Sequence, residues 1–272
     1  MSDKISAKDV MSLRNRTGLA MMACKKALTE AGGDVEKAEE LLRKELKGKM
    51  ETKVDRAAGE GRIGVAVSGG SAAILELKAE TDFTAKNDKF IAATDQLAKL
   101  ALNAPAGSGP TDEMTKIIDD LRISTGENIS IGRIETIKGS GDKTVFGQYV
   151  HHDGKTGVLI HAEGDIDDST LRQIGMHVTA AVPRPMGVTT DEIPAEVVEK
   201  ERKFRIDQAV ESGKNQEIAE KMVEGGMRKF FAEVALLEQA YVVDPSKPVK
   251  EIVGPNASIK SFHRWEVGEA AG

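Results

Sequence analysis

An apolar run, Ala72-Ala73-Ile74-Leu75-Glu76-Leu77, gives way within a dozen residues to Lys89-Phe90-Ile91-Ala92-Ala93-Thr94-Asp95-Gln96-Leu97-Ala98-Lys99-Leu100. The first reads as a buried or half-buried strand. The second has the spacing of a helix with one apolar face, so one core must serve both periods. Upstream, Gly64-Val65-Ala66-Val67 and the turn Ser68-Gly69-Gly70-Ser71 complete a hairpin with that strand. The following helix is expected over about Asp88 to Asn103. The same order returns later. Val145 to Val150 pairs across His152-Asp153-Gly154-Lys155 with Gly157 to Ala162. A helix from Leu171 to Ala181 follows, and Pro183 ends it. Hairpin and then helix, twice, points to an α+β fold with a duplicated hairpin-plus-helix core. Between the copies, Thr111 to Ser124 reads as a helix and Asn128 to Thr136 as a strand. A short helix after Ser246 and a strand around Ser258 to Val267 close the chain.

Two further modules flank this core. Ser6 to Arg16 and Ala20 to Glu30 read as helices, separated by Thr17-Gly18, and Gly32-Gly33 stops the second. Asp34 is a suitable N-cap for a third helix, with Lys37 where a capping box would need an acid. Val35, Ala38, Leu41 and Leu42 give that helix an apolar face. Lys47 to Arg62 is polar and glycine-containing, and reads as a linker running into the first strand. Near the other end, Pro194 to Gln239 reads as two long charged helices joined by Ser212-Gly213-Lys214-Asn215, an antiparallel hairpin. Val197, Val198, Phe204, Ile206 and Val210 on one arm face Ile218, Met222, Val223, Met227, Phe230 and Phe231 on the other. They are expected to bury a seam between the arms. Gly225-Gly226 weakens the second arm by roughly 1 kcal/mol each relative to alanine, so a bend or break is expected there. The division is 1–50 for the helical bundle, 51–140 for one core subdomain, 141–190 with 241–272 for the other, and 191–240 for the helical hairpin.

Composition limits what such a chain does. Its 272 residues exceed the usual size of one domain. With 40% hydrophobic and 30% charged residues it is an ordinary globular sequence. A formal charge of −6 argues against a direct, non-specific nucleic-acid binder, which needs a basic face. Cys24 is the single cysteine, so an internal disulfide is impossible and a reducing compartment fits. No secretory signal and no run of about 20 apolar residues is present, so the expectation is a cytoplasmic protein without a membrane span.

Catalytic sets are missing. Gly154-Lys155-Thr156 resembles the end of a phosphate loop, but position 149 is tyrosine and the next segment is β-rich. Gly139-Ser140-Gly141-Asp142-Lys143-Thr144 is better read as a hairpin turn. Cys24 lies beside two lysines, without a histidine in its module to act as base. His151-His152 makes no metal site as neighbours on a strand, whose side chains point to opposite faces. His177, on an apolar helix face, reads as a core histidine with its hydrogen bonds satisfied. The chain is expected to need no cofactor and no metal, and not to be an enzyme. Thr81-Asp82-Phe83 stands out instead, at the strand-to-helix junction, where side chains project from a rigid base. Two readings stay open there: Phe83 as a core anchor with Asp82 capping the helix, or an aromatic beside an acid presented to a partner's pocket. Met21-Met22 divides likewise between filling a small core and lying exposed in an adaptable interface. Arg14 is either solvated or reaches a partner carboxylate.

The chain resembles the bacterial elongation factor Ts family. Thr17-Gly18-Leu19-Ala20-Met21-Met22-Ala23-Cys24-Lys25-Lys26-Ala27-Leu28 looks like the family's N-terminal signature, and Glu80-Thr81-Asp82-Phe83 with Ala85-Lys86-Asn87 like its second. Gly126-Glu127-Asn128-Ile129, Met176-His177-Val178, Ile218 to Gly225 and Phe262 to Gly268 follow in the family's order. The resemblance implies a guanine-nucleotide exchange factor for elongation factor Tu. It implies that Thr81, Asp82 and Phe83 act near the partner's magnesium and phosphate sites, that Arg14, Met21 and Met22 grip its GTPase domain, and that His151 is a further contact. The long hairpin resembles a protruding coiled coil, through which a homodimer could form. The first three helices resemble a ubiquitin-associated-type bundle. The alternative is therefore an adaptor that binds ubiquitin-like ligands without exchange activity.

Overall fold

A computed structural model describes residues 5–269 except 52, 54, 106, 140, 142 and 214, so the turn read at Ser140 and Asp142 and the loop residue Lys214 lie outside the described residues. The fold mixes helix and sheet. Contacts divide it into two compact units: Met1–Gly64, Leu75–Glu135 and Val267–Gly272 in the first, Val65–Ile74 and Thr136–Glu266 in the second.

The first unit begins with α1 (Ala7–Thr17), α2 (Met21–Glu30) and α3 (Val35–Glu51). Ser6 and Asp9 form a capping box on α1, and Gly18, left-handed at φ 75°, ends it. Asp34 Oδ1 accepts from the amides of Glu36 and Lys37, capping α3 as its position in the sequence suggested. Val10, Leu13, Cys24, Leu28, Ala38 and Leu42 make the core of the three helices. Cys24 is wholly buried there, a small apolar side chain. Leu41 is exposed, contrary to expectation, because the buried stripe runs through Ala38 and Leu42, one turn apart, and leaves Leu41 at its edge. The polar linker also starts later than read, since α3 continues to Glu51 and ion pairs tie it to α6 (Asp112–Thr125), Arg43 to Asp120 and Lys47 to Asp119.

Strands β1 (Glu60–Ser68) and β2 (Ser71–Ala79) form the first hairpin, and β3 (Ser130–Lys138) pairs on the other side of β2. The hairpin end, Val65–Ile74, belongs with the second unit. After β2 come a one-turn helix α4 (Asp82–Ala85) and α5 (Asp88–Ala101). Helix α5 buries Phe90, Leu97 and Ala98. It approaches β1 closely at Gly64, where an added Cβ would stand 2.9 Å from Thr94 Cγ2. The middle strand carries a buried ion pair, Glu76 Oε2 to Arg133 Nε at 2.9 Å, and the Gly268 amide donates to the other oxygen of Glu76 at 2.9 Å.

In the second unit, β4 (Thr144–Val150), β5 (Thr156–Gly164) and β6 (Ala257–Glu266) form an antiparallel sheet with β5 central. Helix α7 (Asp168–Ala180) packs on it through Leu171, Ile174 and Val178, facing Val158, Ile160 and Ile259. Gly147 and Gly175 allow that approach; a Cβ on either would stand 2.4 Å from Leu171 or 2.8 Å from Tyr149. His177 is buried as read: Nδ1 accepts from the Val242 amide and Nε2 meets Gln239 Oε1.

Helices α8 (Ala195–Glu211) and α9 (Gln216–Val234) pair side by side, and α10 (Val249–Val253) leads back to the sheet. Two expectations fail here. Helix α9 runs unbroken through Gly225-Gly226, because Gly226 makes room for the Arg205 stem of α8, 3.0 Å from where a Cβ would be. The expected apolar seam forms only in part: Met227, Phe230 and Val234 are buried with Val197, Val198, Val223 and Phe231 packed against them, and Ala209 is buried near the far end of α8. Phe204, Ile206, Val210, Ile218 and Met222 are exposed toward the far end. Helix α8 alternates charged and apolar residues without a single apolar stripe, so its larger side chains cannot all face α9.

Candidate functional site

The strand-to-helix junction is a short exposed turn on a polar base. Thr81 is extended and caps α4, its hydroxyl accepting from the Thr84 amide, and Asn87 caps α5 in the same way. Asp82 therefore does not cap the helix. It is the first residue of α4, paired with Lys86 one turn on at 2.6 Å. Such an exposed pair contributes only a few tenths of a kcal/mol. Phe83 is 84% exposed, which overturns the core-anchor reading. The turn buries Thr84 and Ala85 instead, and the four-residue length of α4 leaves Phe83 on its outer side. Phe90, seven residues on, is the aromatic that enters the core.

What holds this turn is Glu127, a residue of one of the signature stretches to which the sequence alone assigned no role. Its carboxylate accepts four hydrogen bonds among the described residues. Oε1 takes the hydroxyls of Thr81 and Thr84 at 2.6 and 2.7 Å; Oε2 takes the amides of Glu80 and Thr81 at 3.1 and 3.2 Å. Glu80 returns the contact by accepting the Asn128 amide at 2.7 Å, and Asn128 Nδ2 donates to the Arg56 carbonyl at 2.8 Å. The signal available in the sequence was Gly126. Left-handed at φ 73°, it ends α6 and turns the chain so that Glu127 follows at once.

Arg14 of α1 is exposed, as are Met21 and Met22 at the start of α2, at 44% and 73%. The reading in which these methionines fill the small core is overturned, because Leu13, Cys24 and Leu28 fill it. Met11 is exposed as well. His151 belongs to the second unit and follows β4. Its Nδ1 lies 3.0 Å from the Tyr149 hydroxyl. His151 and His152 do not lie on opposite faces of a strand as expected, since β4 ends at Val150 and the two rings meet edge-on at 4.3 Å. They do not recruit a third ligand: among the described residues no group of three His, Cys, Asp or Glu side chains could hold a metal ion. Nor, among those residues, is any helix long and apolar enough to cross a membrane.

The arrangement can do one thing well: insert an aromatic ring and a neighbouring carboxylate, on a turn already ordered, into a partner. Comparison with known proteins identifies the family. The sequence profile described as elongation factor TS matches residues 80–269. Elongation factor Ts of Histophilus somni is 43% identical over 272 residues, covering 98% of this chain and 92% of the relative. The elongation factor Ts proteins of Photobacterium profundum and Hydrogenovibrio crunogenus are 42% and 40% identical over 270 and 279 residues, each covering 97% of this chain and 92% of the relative.

Proposed function

The chain belongs to the elongation factor Ts family of translation elongation factors, and on that premise we propose that it accelerates release of GDP from elongation factor Tu. The observation that carries the reading is Phe83, 84% exposed on a turn that polar contacts hold in place. An apolar ring left in water by a rigid base gains from entering a partner's pocket. Asp82 beside it brings negative charge toward the magnesium and phosphate sites of the partner's GTPase domain. Displacing metal and phosphate contacts there speeds loss of GDP. No bond is made or broken by this chain, so it acts as an exchange factor and not as an enzyme.

The thermodynamic requirement is reciprocity. A protein that binds elongation factor Tu more tightly when GDP is absent must weaken GDP by the same factor. The remaining contacts divide the work. Arg14, Met21 and Met22 on the N-terminal bundle, akin to a ubiquitin-associated domain, grip the GTPase domain; His151 adds a contact from the second unit. The two hairpin-and-helix units descend from one duplicated ancestor. The residue ranges 1–50, 51–140, 141–190 with 241–272, and 191–240 act as separate modules. The exposed apolar side of α8 and α9 supports association of two copies through the helical hairpin. The protein works in the cytoplasm, without cofactor or direct nucleic-acid contact. The test is release of fluorescent GDP from elongation factor Tu. Substoichiometric amounts of this protein should turn over many equivalents of complex, and release at the spontaneous rate would refute the reading.

A further inference from the structure

We propose that Glu127 is a positioning residue for the exchange tip, holding Asp82 and Phe83 in the shape they present to the partner. This rests on the reading of Asp82-Phe83 as the exchange element. Helix α4 has four residues, too few to hold itself by its own hydrogen bonds. Phe83, being 84% exposed, gains no anchorage from packing. The turn must therefore be ordered from outside, and Glu127 accepts two hydrogen bonds at each of its two oxygens, the full capacity of a carboxylate. Hydrogen bonds to an ionised acceptor are roughly twice as strong as neutral ones. The staple is reciprocal, since Glu80 holds the Asn128 amide in return. Segments 46 residues apart in the chain are thus locked together on either side of the tip. Ordering is completed on folding and not at the encounter with the partner, which favours a tip that acts by precise insertion.

The chemistry of the site predicts a graded series. In Glu127→Gln the amide oxygen can accept both backbone N–H groups, while its NH2 donates to two threonine hydroxyls that turn to accept. Exchange should stay within about threefold of wild type. Glu127→Ala leaves the amides of Glu80 and Thr81 without that acceptor. The maximal rate of GDP release should fall on the order of tenfold or more. The concentration giving half-maximal release should change less, because the N-terminal bundle is untouched. Hydrogen exchange of the Glu80 and Thr81 amides should become fast. In a Phe83→Ala background, Glu127→Ala should add little, because it acts through the tip.

A wild-type release rate in Glu127→Ala with unprotected Thr81 amide overturns the proposal. So does an equal loss in both backgrounds, which marks a general structural effect. If Phe83→Ala itself releases GDP like wild type, the reading of the tip falls and this proposal falls with it. A normal Phe83→Ala defect beside an unaffected Glu127→Ala sinks only the role of Glu127. Should Glu127→Ala fail to fold, Thr84→Val takes its place; it deletes one hydroxyl donor to the same carboxylate and leaves the amide contacts. The maximal release rate should then fall less, by about threefold, and not at all in the Phe83→Ala background, while an unchanged rate or an equal loss in both backgrounds overturns the role of Glu127.

Discussion

Cutting Phe83 back to alanine separates a surface tool from a core anchor by comparing two magnitudes. Full burial of a phenylalanine side chain is worth about 1.5–3 kcal/mol. With 84% of Phe83 in water, about 1.3–2.5 kcal/mol of that remains available to a partner. At about 1.4 kcal/mol per decade this is a loss of roughly ten- to sixtyfold in the transition state for GDP release. The buried remainder contributes at most about 0.5 kcal/mol to folding, which for a chain of this size moves the melting temperature by less than about 2 °C. The assay is stopped-flow release of fluorescent GDP across a range of factor concentrations, with thermal unfolding measured on the same preparation. A variant that melts many degrees lower, and whose folded fraction still exchanges normally, would show that the ring serves the fold and not the partner.

Replacing Arg14, Met21 and Met22 together by alanine should weaken binding to elongation factor Tu by about tenfold or more while leaving unfolding within about 1 kcal/mol, since all three are exposed; unchanged affinity by calorimetry would remove the bundle from the interface. Because Arg205 lies against Gly226, a short Gly/Ser linker in place of residues 206–225 joins chain ends already side by side. The shortened protein should fold and still catalyse GDP release, with its larger change in association state by light scattering, and a folded but inactive product would make the helical hairpin part of the mechanism. Burial is the main cause that holds His177 below its ordinary pKa of 6.5, and Nδ1 must keep its lone pair for the Val242 amide. Its folded pKa is depressed, so the unfolded chain takes up the proton first: this contribution is complete above about pH 6.5 and is lost as pH falls below it. Urea midpoints should therefore drop between pH 7.5 and pH 5.5, and His177→Gln should flatten that drop; an equal slope in the variant would locate the titration elsewhere. His161, lowered chiefly by burial as well, adds in the same direction.

The elements were legible wherever backbone chemistry is local. Ser6, Asp34, Thr111 and Asn87 cap helices, and Gly18, Gly126 and the Gly69-Gly70 turn stop or reverse the chain, within a residue or two of where these residue types suggest. What the sequence could not convey was which apolar residues find a partner. Leu41 satisfies a helical period, and Phe204, Ile206 and Val210 are apolar residues of a helix facing another, yet all four are exposed, because burial depends on the facing element. Gly225-Gly226 reads as a weak point by propensity, yet Gly226 is where the Arg205 stem of the facing helix packs. At the candidate site the same limit hid Glu127. One acid among 44 carries no mark of its role until the fold brings it, across 46 residues, onto the Thr81 turn. The exposure of Phe83 was likewise undecidable locally, since a phenylalanine at such a junction serves a core as readily as a surface.

Exchange by linkage has its sharpest test in the affinity of this protein for elongation factor Tu with and without GDP. Calorimetric titration of the nucleotide-free and GDP-loaded forms gives one ratio; GDP affinity with and without saturating factor gives the other. Linkage requires tighter binding to the nucleotide-free form, with the two ratios equal. Equal affinity for both forms, however tight, would mean that the protein binds elongation factor Tu without promoting exchange, and would contradict the proposed function.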